Sequence, residues 1–492
     1  MSLGEELIPL VSVITAVGDD GTFLGEAYET LSRQQLDWEW VIQFDGSSRQ
    51  LPDHLDSDKR VKIDCNGDQL GQAITRNLAL ARSRADHVQI WDAYAQTDPA
   101  LSELLSLLLD HPGAAFAALG RVGKAQRSET IESGVLADHW LEQGLLPCSI
   151  QGMLWRKQIL LSCGGQAALD EGGDVCTALV AAERHPVCLL DRIDDEHSFP
   201  AADDLEAGAR SYIFQRLEAA RLSDEAPGIP SEQKRARKRT AVQGREGLIS
   251  VITPVHDPEA PYLEETYRRL LEQDFTDWEW ILQFDGADWQ PPAWLDDPRV
   301  RPAANGKHLG VANTRNLALA RSEGALIQTL DSDDFLLPGA LQAMADVLEK
   351  DPTLVYALGR VHHLVDGRYS DRDDSGREML TGKPAFGVLQ PGVVADFWLE
   401  KEAMPFSLNC ICWRREVLFV IGGWAAMKVG EDGSLFIHAS DQHPGYWLDR
   451  YTLVYRQHPA SAMHQPRYWE QYRPQARKFN IERLQALRAD RA

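Results

Sequence analysis

Short β-branched apolar runs alternate along this chain with stretches whose apolar residues recur every three or four positions. "LISVITPV" (Leu248 to Val255) is too short for a helix and reads as a buried strand. "PYLEETYRRLLEQ" (Pro261 to Gln273) spaces Leu263, Tyr267, Leu270 and Leu271 along one helical face. "WEWILQFDG" reads as the next strand, closed by Asp-Gly. "GVANTRNLALARS" reads as a helix, and "ALIQTLDSDD" as another strand. This alternation predicts an α/β fold: a mostly parallel, Rossmann-like sheet with helices on both faces. In such sheets ligands bind beyond the carboxyl ends of the strands, where Asp285 and the acidic run Asp331 to Asp334 both fall.

The pattern occurs twice. "DWEWVIQFDG" (from Asp37) returns as "DWEWILQFDG" (from Asp277), and "TRNLALARS" stands unchanged at Thr75 to Ser83 and Thr314 to Ser322. "LPCSIQGMLWR" (from Leu146) answers "MPFSLNCICWR" (from Met404). Between these pairs the offset grows from 239 to 258 residues, so the second copy carries an insertion, placed in the polar "DGRYSDRDDSGREMLTGKP" and expected to be a mobile loop. A period this long is no solenoid unit. It predicts two whole domains: 1–200, a helical and basic linker at 201–247, a second copy at 248–465, and a helical tail at 466–492.

Composition narrows the function classes. At 492 residues the chain exceeds what one core supports. A formal charge of −24 argues against nucleic acid or an anionic membrane as the main partner. One local phosphate site stays compatible with that charge, because a divalent cation inverts local electrostatics. The basic run "SEQKRARKRTAVQGREG" therefore reads as a linker or helix end. Seven cysteines include no CxxC pair, and Cys410 and Cys412 would point to opposite faces of a strand, so reduced thiols are expected. No apolar run approaches the ~18 residues of a membrane span, and "MSLGEELIPL" lacks a signal-peptide layout. The expectation is a cytoplasmic protein, with homodimer contacts left open.

In "DSDD", Asp331 and Asp333 lie two apart, a spacing that lets both carboxylates reach one side of a strand-end turn. Hard oxygen ligands of this kind suit Mg²⁺ or Mn²⁺ bridging a diphosphate. "VITPVHD", "LQFDG", "GVANTRN", "LDSDD", "GGW…GED" and "YRQHPAS" occur in an order that resembles glycosyltransferase family 2. The resemblance covers Leu248 to His458, and the first copy follows the same frame more poorly. It implies two tandem GT-A-like domains and an inverting, metal-dependent transfer from a nucleotide sugar, UDP-linked, to a hydroxyl acceptor. By the same resemblance Asp333 ligates Mn²⁺ or Mg²⁺, Asp331 approaches the ribose or the metal, and His458 helps hold metal or diphosphate. Asp285 accepts from uracil N3–H, with Pro254 and His256 at the position that covers the base. Arg315 closes over base or phosphates, Asp432 is the catalytic base, and Glu431 contacts the acceptor.

Plainer readings stand beside these. "DSDD" resembles a cap for the helix after Pro338, Asp285 an Asp-Gly turn, Asp432 an acidic first helical turn, and His458 a structural histidine. Arg315 also reads as a surface salt-bridge partner, since Arg76 repeats it in the first copy. Two other classes remain: a sugar-nucleotide-binding module without turnover, and a nucleotidyltransferase, for which no Walker A loop is present. Counting back from Pro99 and Pro338 aligns Asp92 with Asp331 and Tyr94 with Asp333, while Ala16 and Gly18 replace Pro254 and His256. Asp45, Arg76 and Asp174 persist. The first copy is thus expected to be a non-catalytic partner.

Overall fold

The computed structural model describes residues 8–18, 21–47, 55–91, 99–120, 128–191, 201–222, 242–257, 261–287, 289–365, 367–370, 381–458 and 466–490. The chain divides into two compact units. One is Met1–Ile213 with Ala220–Arg235 and Gln485–Ala492; the other is Phe214–Ala219 with Ala236–Leu484.

The first unit holds β1 (Val11–Val17), β2 (Trp38–Phe44), β3 (Val61–Cys65), β4 (His87–Ile90), β5 (Phe116–Leu119), β6 (Glu129–Ile131), β7 (Leu154–Arg156) and β8 (Val187–Leu190). Their order in the sheet is β3-β2-β1-β4-β7-β5-β8-β6. The second unit holds β9 (Arg245–Val255), β10 (Trp278–Phe284), β11 (Val300–Ala304), β12 (Gly324–Thr329), β13 (Phe335–Leu336), β14 (Tyr356–Val365), β15 (Arg368–Ser370), β16 (Gly387–Leu389), β17 (Ile411–Arg414) and β18 (Gly445–Gln457). Its main path, β11-β10-β9-β12-β17-β14-β18-β13, repeats the first as far as β18; β16 lies on β18 as β6 lies on β8, and β15 lies on β14. The strands β11, β10, β9 and β12 run parallel, as expected. One inner strand departs from the parallel pattern: β17 is antiparallel to both β12 and β14.

Two strands of the second unit have no described counterpart in the first. β15 forms a hairpin with β14 at the start of the inserted polar segment, so the part expected as loop begins as strand. β13 pairs with β18; by sequence offset its counterpart lies within 92–98, outside the described residues, together with Asp92 and Tyr94.

The helix Leu263–Leu271 buries Leu263, Thr266 and Leu270. Leu271, expected on that face, is exposed. Thr266 centres the buried stripe because its hydroxyl donates to the Asp334 carbonyl at 2.7 Å, which turns Leu271 outward. Beneath the helix, Trp280 is fully buried, stacks on Tyr267 at 6.0 Å, and donates its indole N–H to Thr253 at 2.9 Å. A buried tryptophan so satisfied leaves no orphaned donor.

The repeated motifs have a shared structural task. In the second unit Gln283 donates to Asn305 (2.9 Å), Asn305 to Asp285 (3.1 Å) and Thr314 (2.8 Å), and Arg321 to Gln283 (2.7 Å). In the first, Gln43, Asn66, Asp45, Thr75 and Arg82 make the same bonds at 2.7–3.0 Å. This buried network ties strand to helix in each unit, which accounts for its recurrence in the sequence. All seven cysteines are free; burial pushes the Cys410 thiol up to about 12 and the Cys412 thiol up as well.

Candidate functional site

The chain leaves β12 into a turn closed by the Asp334 amide on the Asp331 carbonyl at 3.2 Å. Asp334 points inward and is fully buried, accepting the Arg456 backbone N–H at 2.8 Å. It therefore fastens the turn to β18. Asp333 stays part-exposed, with its carboxylate 2.9 Å from His458 Nε2. Burial, and then the Asp331 charge, push the Asp333 carboxyl above its usual range. Tyr262 lies beside His458 at 5.6 Å and under the Arg456 guanidinium at 4.2 Å. That guanidinium donates to the Asp333 carbonyl at 3.0 Å and to Glu265 at 2.6 Å.

Arg315, on the helix Val311–Arg321, is buried at the centre of the site. Its Nη2 donates to Asp331 Oδ1 at 2.7 Å; its Nη1 donates to Glu431 Oε1 at 2.9 Å and to both Asp432 oxygens at 3.0 and 3.1 Å. Burial alone would lower the guanidinium pKa, but the three carboxylates raise it overall. Glu431 and Asp432 open the helix Glu431–Gln442 behind Gly430, whose φ of +78° favours a residue without Cβ. Burial, followed by the Asp432 charge, pushes Glu431 up to about 7. Burial raises Asp432 too, opposed by Arg315 and by the Trp424 indole N–H, which donates to Asp432 Oδ1 at 2.7 Å. The Asp432 side chain is 36% exposed and that of Glu431 is 9%, so Asp432 is the one an incoming molecule can touch.

A second group lies where β9 and β10 end. Asp285 is buried, and its Oδ1 accepts from the Leu309 amide at 2.6 Å and from Asn305 at 3.1 Å. Its Oδ2 accepts from the Gly310 amide at 3.0 Å and meets His308 Nδ1 at 2.8 Å. His256 is exposed after β9, with its ring 5.1 Å from that of His308. Pro254, within β9, pairs in register with Gln283 of β10.

The structure thus brings Asp331, Asp333, His458, Arg315, Glu431 and Asp432 into one linked cluster, and Asp285, His256 and Pro254 into the group at the β9 and β10 ends. Two plainer roles differ from those expected: Asp285, read as an Asp-Gly turn, holds the end of the helix Val311–Arg321, and Arg315, read as a surface salt-bridge partner, makes its ion pairs buried. Sequence reasoning missed Trp424, Asn409, Tyr262, Arg456 and His308. Asn409 donates to Asp331 at 3.2 Å. Trp424 sits in the "GGW" motif, where its side chain had been given no task. In the first unit Arg76 meets Asp174 at 3.4 Å, and both line a pocket with Gln166, Gln151 and Trp155.

The sequence matches the family described as Glycosyl transferase family 2 over residues 12–171 and 250–430, more than half of the chain. The chain belongs to glycosyl transferase family 2. The matched segments fall one on each of the two tandem α/β units expected from the sequence. Among relatives, the O-antigen biosynthesis protein RfbC of Myxococcus xanthus is 26% identical over 212 residues, 42% of this chain and 15% of that protein. Chondroitin synthase of Escherichia coli is 28% identical over 201 residues, 34% of this chain and 29% of that protein. The chain thus spans less than a third of either relative. Among solved structures, S. aureus TarS 1-349 in complex with UDP-GlcNAc aligns with a TM-score of 0.35 and 18% identity, covering 44% of this chain and 60% of that one. No described helix is long and apolar enough to cross a membrane.

Proposed function

We propose that the second unit transfers a sugar, with inversion, from a nucleotide sugar to a hydroxyl acceptor, and that the donor is UDP-linked. The observation that carries this reading is the three-way contact of Arg315. One buried cation joins Asp331, at the end of β12, to Glu431 and Asp432 about a hundred residues later. Donor-side and acceptor-side carboxylates therefore share one crevice.

The chemistry of the donor set suits a divalent cation, though its ligand atoms are not drawn together as those of His256, Asp285 and His308 are. Asp331, Asp333, Asp334, Glu431 and Asp432 bring five carboxylates together; Arg315 contacts three of them, and Arg456 directs its Nη2 to Glu265. Crowding Asp333 beside Asp331 is unfavourable unless a cation is shared. Asp333 and His458, with Asp331, would hold Mn²⁺ or Mg²⁺, which supplies charge neutralisation for the departing diphosphate.

The remaining work falls to side chains of this chain. Asp432 takes the acceptor proton as the hydroxyl attacks the anomeric carbon, and Arg315 and Trp424 fix its carboxylate for that step. Arg315 holds Asp331 and Asp432 at a set separation, so donor and acceptor meet aligned. One displacement inverts the anomeric centre. Asp285, with His256 and Pro254 beside it, forms the proposed base-binding end. The first unit is proposed to be non-catalytic.

The test is incubation with Mn²⁺ and a panel of nucleotide sugars, with separation of the nucleotide products. Release of nucleoside diphosphate supports the reading. Release of pyrophosphate would mean nucleotidyl transfer, and tight binding without release would mean a binding module; either outcome overturns it.

A further inference from the structure

We propose that His256, Asp285 and His308 form a transition-metal site, selective for Zn²⁺-like ions over Mg²⁺ and Mn²⁺. Their ligand atoms all lie within 4.8 Å of one another. Two imidazoles and a carboxylate suit Zn²⁺ and its neighbours, whereas Mg²⁺ prefers oxygen alone.

The geometry of Asp285 is that of a held ligand. Its Oδ1 is turned inward to the Leu309 amide and Asn305, and its Oδ2, which accepts the Gly310 amide at 3.0 Å, faces the imidazole of His308. Outer hydrogen bonds of this sort orient a ligating carboxylate before the ion arrives. His308 is 57% exposed and His256 is exposed, so the fourth position faces solvent and an ion can enter.

Comparison of the two units separates the carboxylate's two tasks. Asp45 accepts the Leu70 amide at 2.5 Å, the Gly71 amide at 2.9 Å and Asn66 at 3.0 Å, the same capping arrangement as Asp285. Capping therefore needs neither imidazole. At the positions of His256 and His308 the first unit carries Gly18 and Gln69. The two histidines stand in the second unit alone, beside a carboxylate already fixed in place.

An ion here would occupy the end of the crevice proposed to take the base. On that reading Zn²⁺ excludes the donor nucleotide. The metal site does not depend on it, because metal binding is measured without substrate.

Zn²⁺ titration by calorimetry, and Co²⁺ substitution followed by its visible absorption, test the site on the full chain. Wild type should bind Zn²⁺ and give coloured Co²⁺ of low coordination number at this site, beside any ion held by Asp331, Asp333 and His458. His256→Ala and His308→Gln should each lose roughly 100-fold in affinity, at least what removal of an outer-shell partner costs. Both side chains are exposed, and Gln is the residue the first unit carries at that place, so the fold tolerates the change; circular dichroism checks it. Asp333→Ala should keep the coloured Co²⁺ complex. Loss of binding in Asp333→Ala with retention in both histidine variants would put the ion in the Asp331–Asp333 cluster and overturn the proposal. Absence of Zn²⁺ binding in the wild type would overturn it as well.

Discussion

Trp424 donates its indole N–H to Asp432 Oδ1 at 2.7 Å while its own backbone is clamped by Asn316. The Asn316 side chain accepts the Trp424 amide at 3.0 Å and donates to the Trp424 carbonyl at 2.9 Å. In the first unit Asn77 clamps Gln166 in the same way, at 2.8 and 3.1 Å. The clamp persists there, but the residue it holds is a glutamine with no indole to offer Asp174. A helix residue thus aims a tryptophan at the proposed base in one unit only.

Trp424→Phe keeps the ring and removes the donor. That hydrogen bond favours the ionised carboxylate, so its loss raises the Asp432 pKa. The acid limb of the rate–pH profile should move to higher pH, and transfer near neutrality should fall about tenfold. An unshifted profile would show that the indole does not tune the base.

Asp432→Asn preserves shape but cannot accept a proton. Donor binding should survive while transfer falls by ~100-fold or more. Single-turnover kinetics with saturating donor make the measurement. Turnover close to wild type would move the base to Glu431.

Glu431 supplies a pH-dependent stability effect with a definite sign. Its folded pKa, about 7, lies above the ordinary 4.5, so the folded state favours the protonated form. In chelator-treated protein its contribution is complete below pH 4.5 and is lost as pH rises through 7. Glu431→Gln should remove about 1–3 kcal/mol of that decline. Denaturant melts at pH 5 and pH 8 give the comparison; equal slopes in both proteins would contradict it.

Asp45→Ala and Asp285→Ala each remove a carboxylate from a helix end. Each should lower stability by about 1–2 kcal/mol. Transfer should fall only with Asp285→Ala, once both proteins are assayed well below their Tm. Equal activity in the two would leave Asp285 with its capping task alone.

Asp333→Ala should abolish Mn²⁺-strengthened UDP binding and transfer, whereas Asp92→Ala and Tyr94→Ala should leave most activity. Calorimetry and product release measure both. Residual transfer in Asp333→Ala that vanishes on adding Asp92→Ala would make the first unit an enzyme in its own right.

The first strands and helices of the second unit were readable because apolar periodicity is local: β9, β10 and β12 lie where their runs stand in the sequence. The antiparallel β17 was not, since strand direction depends on the path between elements. Leu271 misled because a buried threonine hydroxyl can outweigh a leucine when a distant carbonyl awaits it. Within the site, acidic residues announced themselves by clustering in sequence. Trp424, Asn409 and His308 did not, because each works by touching a residue from another segment. Repetition also marked frame and chemistry alike: Asp285 recurs as Asp45 because both cap, so recurrence alone separates neither role.

The bond pattern of Arg315 has a consequence for how the chain is made. Its helix is synthesised 116 and 117 residues before Glu431 and Asp432, two of its three anionic partners. During translation the guanidinium must wait in water, because entering the interior with only Asp331 would leave it undercompensated. Closure of this crevice is therefore a late, long-range event in the birth of the second unit, the kind of contact that slows folding. A ribosome-bound chain that ends before the "GGW…GED" segment would carry every donor-side carboxylate and still have no assembled centre.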